Sequence, residues 1–178
     1  AKVNYKLDIV NCNGLPIRFY YVNSEGVAPQ SYICNLTSYY SAKYGPHAFE
    51  KNGFTTAAAS GFPWGGMENQ TLTTLCSSCW STSIVSHEYS HQWYGDMITC
   101  GTWADIWLNE GFATYSEAVW LENTGGYTSY KNSILGDAST YLSGNTGNPI
   151  YRPEWAITTP NNNELFNEAM TYCKCSCV

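Results

Sequence analysis

The stretch His87-Glu88-Tyr89-Ser90-His91 decides how the rest of this chain is interpreted. On a helix, histidines four residues apart lie on one face and one turn apart, so both imidazoles can bind the same ion. Glu110 follows in a second segment whose pattern is also helical. Two neutral imidazoles and one carboxylate are the protein ligands of a catalytic zinc site, which keeps one coordination position for water. The spacing therefore predicts a metal site at His87, His91 and Glu110.

The acidic residue between the two histidines has a separate predicted role. Glu88 cannot easily share the ligation of its neighbours, but its carboxylate can reach a water molecule at the metal and act as general base. A zinc ion lowers the pKa of that water toward neutrality and polarises a bound carbonyl group. A match to H-E-x-x-H also arises by chance, and a carboxylate at Glu110 on a second predicted helix makes chance the weaker explanation.

A second motif, Gly65-Gly66-Met67-Glu68-Asn69, lies ahead of the histidines. With it, the chain resembles the aminopeptidase N family of zinc aminopeptidases, which are gluzincins and include the leukotriene A-type hydrolases. That family carries Gly-x-Met-Glu-Asn and then His-Glu, two residues, His, eighteen residues and Glu, matched here by His87, Glu88, His91 and Glu110. The resemblance implies one Zn²⁺ per chain and an α+β fold. The expected fold is a thermolysin-like metallopeptidase catalytic domain with a small mixed sheet and a helical zinc-binding half.

The resemblance also assigns the segment Gly65, Gly66, Met67, Glu68 and Asn69 to the edge of the substrate cleft. Glycines in an edge strand let a peptide backbone approach and pair with it. An aminopeptidase must hold the free α-ammonium group of its substrate, and a fixed carboxylate at Glu68 does this by charge-assisted hydrogen bonds. The alternative is an ordinary solvated carboxylate at a sheet edge.

Two further residues have expected roles near the reaction. Residues 163–172 resemble the family segment that delivers a catalytic tyrosine, so Tyr172 is expected to donate its phenolic hydrogen to the oxyanion of the tetrahedral intermediate. The family continues Tyr-x-Lys-Gly, whereas this chain has Cys175 at the glycine position, which puts a side chain where the family packs none. Glu117, about two turns after Glu110, either holds a metal-binding histidine by a hydrogen bond or is a buried structural carboxylate.

Local patterns predict the surrounding elements. Residues 1–22 form two strands with a turn at 11–14, and residues 31–44 form a helix that Gly45 and Pro46 close. His47 is expected at a surface or turn position. The histidine helix is capped by Thr82 or Ser83 and ends near Gly95. The next helix runs from about 102 or 104 to 123, and another spans 127–142.

Composition limits the function classes. Only 12% of residues are charged, against roughly 25% in an average soluble domain, and 16% are aromatic, which favours a secreted or periplasmic protein. The net charge of −6 and the 8 lysines and arginines argue against a nucleic-acid partner. No apolar run approaches the ~20 residues of a membrane span. Among 8 cysteines, Cys76 and Cys79 form a tight disulfide, a thiol pair or half of a second zinc site, and several cysteines are small core residues on the simplest interpretation.

The resemblance divides the chain at its amino-terminal end. Residues 1–24 are expected to be the end of a β-domain, and residues 25–178 a catalytic domain truncated at its carboxy end, so the chain is expected to be a fragment. The expected function is removal of the amino-terminal residue from peptides with a free amino terminus, by a zinc-activated water. Two alternatives stay open: epoxide hydrolysis, known in one branch of the family, and a catalytically impaired module that binds zinc and peptides. Side-chain preference and oligomeric state are not predicted.

Overall fold

In the computed structural model, a β-hairpin begins at Lys6. Strand β1 spans Lys6–Cys12 and strand β2 spans Leu15–Tyr21, and the two pair antiparallel. Asn13 and Gly14, at the turn, have φ values of 54° and 96°. A two-residue turn with both φ angles positive matches the right-handed twist of the flanking strands, and Asn-Gly favours it. The predicted pair of strands is confirmed.

The structure describes residues 4–58, 62, 64–144 and 147–177. The chain divides into two compact units, residues 1–96 and 97–178. Within the described residues, no helix combines the length and the apolar character that crossing a membrane requires. The expected division of the chain at residue 24 stays a prediction.

The first unit contains a mixed sheet of five strands in the order β1-β2-β3-β5-β4. Strand β3 spans Asn52–Ala57, β4 spans Gly66–Met67 and β5 spans Thr73–Cys76. Strand β3 pairs parallel with β2 and with β5, whereas β4 pairs antiparallel with β5. Strand β4 is therefore an edge strand, whose outer backbone groups are the kind that pair with another chain. The predicted small mixed sheet is confirmed, with the Gly-x-Met-Glu-Asn segment at its edge.

Three helices complete the first unit: α1 at Val27–Gln30, α2 at Ile33–Tyr44 and α3 at Thr82–Ser90. The cap of α3 is Ser81 and not the expected Thr82 or Ser83, because Ser81 is extended and its Oγ accepts a hydrogen bond from the Ile84 amide. Helix α3 also ends earlier than predicted. The chain continues in tighter turns, with the amides of Trp93 and Tyr94 donating to the Ser90 carbonyl.

Aromatic side chains hold α2, α3 and the sheet together. The ring of Trp93 meets Tyr40 and Tyr89 edge to face, with centroids 5.9 and 5.6 Å apart, and Phe54 of β3 lies 5.9 Å from Tyr89. Edge-to-face pairs contribute about 0.5–1.5 kcal/mol beyond the area they bury. These contacts fix the position of α3 against α2 and the sheet.

His47, expected at a surface or turn position, lies in the irregular segment after α2, between bends at residues 46 and 48, and its ring is half-buried. Its half-buried ring stacks on Tyr89 at 5.9 Å and meets Trp93 edge-on at 5.2 Å. The ring is half-buried because it packs against the aromatic side chains of the core. Such a contact between distant segments leaves no periodic signal around His47.

The second unit is helical. A 3₁₀ turn at Trp103–Asp105 leads into helix α4 at Ile106–Gly144. Gly126, with φ 75° and ψ 180°, breaks α4 into two helical parts, so the predicted separation of a helix that ends near residue 123 from one that begins at residue 127 is confirmed. A 3₁₀ turn at Pro153–Ala156 and helix α5 at Asn162–Leu165 follow. The chain then forms a π-helical turn at Glu168–Cys173 and helix α6 at Lys174–Ser176.

Two disulfides form in the first unit. Cys76 pairs with Cys79, the first of the three alternatives for that pair. Cys12 pairs with Cys34 and thereby joins the end of β1 to α2, a pairing the sequence did not predict. In the described part of the second unit, the thiols of Cys100, Cys173, Cys175 and Cys177 are free.

Candidate active site

Helix α3 carries His87, and His91 is the residue directly after its last turn, with a helical backbone conformation. The ring centroids of His87 and His91 lie 4.9 Å apart, with an interplanar angle of 76°. His87 is half-buried and His91 is 1% exposed. Two imidazoles placed one turn apart in a site that excludes most water can bind one metal ion together.

A backbone carbonyl holds the ring of His91 in one orientation. Its Nδ1 lies 3.0 Å from the carbonyl oxygen of Tyr94. A carbonyl only accepts, so Nδ1 carries the hydrogen and donates it, which leaves the lone pair on Nε2. Metal-binding histidines use their second nitrogen in this way, because the outer hydrogen bond fixes both the tautomer and the ring.

Two carboxylates converge on His91. One oxygen of Glu68, one oxygen of Glu88 and one ring nitrogen of His91 all lie within 4.8 Å of one another. Glu88 is 8% exposed, and Glu68 is half-buried just after β4. Their combined charge makes this place favourable for a cation, whether a metal ion or an ammonium group.

Strand β4 runs directly beside Glu88. A Cβ atom added to Gly66 would overlap the Glu88 carboxylate, so this approach depends on the absence of a side chain. Gly65 has a φ of 87°, in the left-handed region that glycine adopts without cost. Met67 and Asn69 are exposed. The motif thus directs Glu68 toward His91 and leaves its two neighbours at the surface.

Sequence reasoning missed Gln92, which ties α3 to the segment that follows β4. Its Nε2 donates to the Glu68 carbonyl at 3.2 Å, and its Oε1 accepts from the Thr71 amide at 3.0 Å. The side chain is 1% exposed. A glutamine directly after H-E-x-x-H was the available signal, but its partners lie 24 and 21 residues earlier in the chain.

Asp96 lies near the same group of charges. Burial raises its pKa to about 7, and the charge of Glu68 acts in the same direction, whereas His91 and a hydrogen bond from Gln92 lower it. The Asp96 amide donates to the His91 carbonyl at 2.8 Å. The first unit therefore holds a third carboxyl group in this region, and its burial favours the neutral form.

The second unit holds the other predicted site residues. Glu110, on α4, is 5% exposed, and the Asn109 side chain donates to its Oε1 at 3.3 Å. Glu117 is half-buried on the same helix. The pKa of Asp137 is raised mainly by the burial of Asp137, and the charge of Glu117 raises it further. Tyr172 is half-buried in the π-helical turn. The roles assigned to these residues stay predictions.

Cys175, the departure from the family pattern, packs against α4. A Cβ atom on Gly111 would overlap the Cβ atom of Cys175. The Cys175 thiol donates to the Met170 carbonyl at 3.3 Å. The side chain is thus accommodated because the residue after Glu110 is a glycine, and the close contact joins the helix of Glu110 to the segment of Tyr172.

The donor set of α3 fits zinc. Zinc is bound by imidazole nitrogens and carboxylate oxygens, whereas calcium and magnesium take mainly oxygen ligands. The fixed Nδ1 of His91 leaves Nε2 as a ligand atom. His87 adds the second nitrogen, and Glu110 is the predicted oxygen ligand.

Similarity to known proteins identifies the family of this chain. Residues 30–178 match the Peptidase family M1 domain. The chain is 35% identical to human endoplasmic reticulum aminopeptidase 2 over 102 residues, covering 56% of this chain and 10% of that protein. It is 35% identical to human aminopeptidase B over 106 residues, covering 57% of this chain and 15% of that protein.

Solved structures show the same fold. An M1 zinc metallopeptidase from Deinococcus radiodurans aligns with a TM-score of 0.72 at 24% identity, covering 97% of this chain and 38% of the other. The matches thus span only a small share of the full length of these relatives. The family match itself extends through α2, the sheet edge, α3 and the whole second unit, and the chain belongs to peptidase family M1.

Proposed function

We propose that this chain is the catalytic part of a zinc aminopeptidase that removes the first residue of peptides with a free amino terminus. His87, His91 and Glu110 hold the ion, one per chain, in a thermolysin-like arrangement. When bound, zinc lowers the pKa of a water molecule and polarises the scissile carbonyl. The observation that carries the proposal is the convergence of Glu68 and Glu88 on His91, whose ring is already oriented for a metal.

Glu88 acts as general base. Its carboxylate is 8% exposed and lies directly beside Gly66 of the edge strand β4. In this position it takes a proton from the attacking water and later passes it to the leaving amine. Glycine at Gly66 leaves room for the carboxylate and for the approaching substrate backbone.

Glu68 makes the enzyme an exopeptidase. The substrate's peptide backbone pairs with the open edge of β4, and its α-ammonium group meets the Glu68 carboxylate in a charge-assisted hydrogen bond. If the cleaved residue had a further residue on its amino-terminal side, a neutral amide would replace the ammonium group beside Glu68 and Glu88. The selection of free amino termini therefore follows from charge.

Tyr172 completes the site by donating its phenolic hydrogen to the oxyanion that develops on the scissile carbonyl. Glu117 stabilises the metal-binding side of the site through hydrogen bonding. We also propose a secreted or otherwise extracytoplasmic location. The disulfides Cys12–Cys34 and Cys76–Cys79 support it, because such bonds persist in oxidising compartments.

The test compares the wild-type protein with Glu88→Gln on a panel of aminoacyl-nitroanilides. Glutamine keeps the shape of the side chain but cannot accept the proton, so kcat should fall by about 10²–10⁴-fold. Zinc content, measured by elemental analysis, should stay equal in the two proteins. A chelator should abolish wild-type turnover, and N-acetylated substrates should not be cleaved.

Equal turnover in Glu88→Gln would contradict the proposed mechanism. Turnover of an epoxide substrate without any peptide cleavage would favour epoxide hydrolysis. Bound zinc with no turnover on either substrate class would favour the impaired zinc-binding module.

A further inference from the structure

We propose that Gln92 is a positioning residue that holds Glu68 in place and thereby sets the preference for a free amino terminus. The inference rests on the proposed function, because it concerns how Glu68 meets the substrate's ammonium group. Gln92 itself does not contact the substrate or the metal. It acts through the backbone on both sides of the turn that follows Glu68.

The side-chain amide of Gln92 uses both of its N–H donors and its carbonyl oxygen. Nε2 donates one hydrogen to the Glu68 carbonyl at 3.2 Å and the other to Oδ2 of Asp96 at 2.6 Å. Oε1 accepts from the Thr71 amide at 3.0 Å. The side chain is 1% exposed and its three partners belong to half-buried residues, so removing the amide takes one hydrogen bond from each of three partly buried polar groups.

The turn that Gln92 holds is in a costly conformation. Thr71 has a φ of 64°, which is a true outlier for a β-branched residue. The Leu72 amide closes the turn by donating to the Asn69 carbonyl at 2.9 Å. Strained residues persist only where the surroundings hold them, and they occur preferentially at functional sites. The bond from the Thr71 amide to Gln92 is such a restraint.

Glu68 stands directly before this turn. Its carbonyl is bound by Gln92, and its carboxylate oxygen lies within 4.8 Å of a Glu88 oxygen and a His91 nitrogen. Two carboxylates this close repel each other, so the backbone must hold Glu68 against that repulsion. Gln92 is the next residue after His91, so the restraint links the position of Glu68 directly to the helix that carries the histidines.

The neutral amide is needed for this task. The three partners of Gln92 are a carbonyl, a carboxylate and an amide. Two donors and one acceptor are therefore required from one planar group, which among side chains of this length only glutamine supplies. Methionine has a similar length and is apolar, so Gln92→Met removes the three bonds with little change in volume.

The chain offers a matched control. Gln30, in the same unit, also donates from Nε2 to a carboxylate, Asp8, at 2.8 Å and to a backbone carbonyl, that of Gly26, at 2.9 Å. It contacts none of the proposed active-site residues through these bonds. Gln30→Met therefore removes the same kind of interactions away from Glu68.

The kinetic test measures kcat and KM for aminoacyl-nitroanilides with each variant. In Gln92→Met, KM should rise roughly tenfold or more with a smaller change in kcat, because the ammonium group is held less well. Partial unfolding would instead lower the active fraction, and so reduce apparent kcat at constant KM. Gln30→Met should leave KM unchanged.

A second readout does not depend on activity. Backbone hydrogen exchange at residues 68–72 should be at least roughly tenfold faster in Gln92→Met than in the wild type, because the Thr71 amide loses its acceptor. Zinc content should be equal in the two proteins. Unchanged KM, unchanged exchange at these residues, or an equal effect of Gln30→Met would overturn the proposal.

The outcomes for the two proposals are distinct. Wild-type protein that cleaves no peptide substrate overturns the proposed function, and the inferred selectivity with it. The exchange measurement still decides whether Gln92 holds the segment. Wild-type activity that is lost in Glu88→Gln but unaffected in Gln92→Met supports the proposed function and overturns the role of Gln92.

Discussion

The histidines and carboxylates of the first unit differ in their surroundings. His91 keeps its hydrogen on Nδ1 because the Tyr94 carbonyl accepts it. Glu68 and Glu88 lie close enough to share a cation, and this arrangement suits an enzyme that must hold both a metal ion and a substrate ammonium group. The third histidine, His47, is used differently. Its ring is a half-buried part of the aromatic core.

His47 makes the stability of the fold sensitive to acid. Burial lowers its pKa, although the hydrogen bond with Phe49 opposes the shift, and its Nε2 has no hydrogen-bond partner among the described residues. Above the unfolded pKa of ~6.5 the ring is neutral in both states. As the pH falls below that value, the unfolded chain binds a proton that the folded chain does not, so stability is lost down to the folded pKa.

We expect His47→Phe to remove this loss, since phenylalanine fills the same aromatic contacts without titrating. The free energy of unfolding, measured by urea denaturation at pH 7 and pH 5, should fall less for the variant than for the wild type. The other two histidines are present in both proteins, so their contribution cancels in the difference. An equal fall in the two proteins would show that His47 is protonated without cost.

At the scale of helices, the contact between α4 and the last turns is the most restrictive. Gly111→Ala places a Cβ atom on top of Cys175, and forced overlap in a packed site costs about 1–3 kcal/mol. We expect a lower free energy of unfolding for this variant. The double variant Gly111→Ala/Cys175→Gly should recover the loss, because it removes the overlapping atom.

Gly136 provides the control for that experiment. It lies on the same helix α4, and a Cβ atom there would meet nothing within 4 Å. Alanine in an open helical position stabilises by about 1 kcal/mol relative to glycine, so Gly136→Ala should raise stability. A similar gain in Gly111→Ala would contradict the close contact with Cys175.

At the scale of the whole chain, the two disulfides differ in what they constrain. Cys12 and Cys34 are separated by 22 positions, whereas Cys76 and Cys79 are separated by 3. The loss of unfolded-state entropy grows with the length of the closed loop. Replacing Cys12 and Cys34 by serine should cost about 3 kcal/mol, and replacing Cys76 and Cys79 about half as much.

The unfolding midpoint of each variant is measured under non-reducing conditions, by following hydrogen exchange in peptides from residues 1–96 as the denaturant concentration increases. The first double variant should show the larger shift in unfolding midpoint. The exchange of peptides from residues 97–178 serves as an internal reference, because neither disulfide lies there. Equal shifts in the two double variants would mean that loop length does not control their contribution.

Features that depend on local spacing are predictable from the amino-acid sequence alone. Asn13-Gly14 set the hairpin turn, helical periodicity gave α2, α3 and both parts of α4, and the four-residue spacing brought His87 and His91 to one face. These outcomes are predictable because the backbone repeats every two residues in a strand and every 3.6 in a helix. Glu68 and Glu88 could be singled out in the same way, because each belongs to a short sequence motif.

Contacts between distant segments, in contrast, are visible only in the folded chain. Gln92 finds Glu68 and Thr71 across the sheet edge, His47 closes the aromatic core, Cys175 rests on Gly111, and Cys12 pairs with Cys34. The two residues of each pair are much farther apart in sequence than neighbours on one helix or strand, so no local sequence pattern predicts these contacts. They arise when hydrophobic burial brings the elements together and buried polar groups must then find partners.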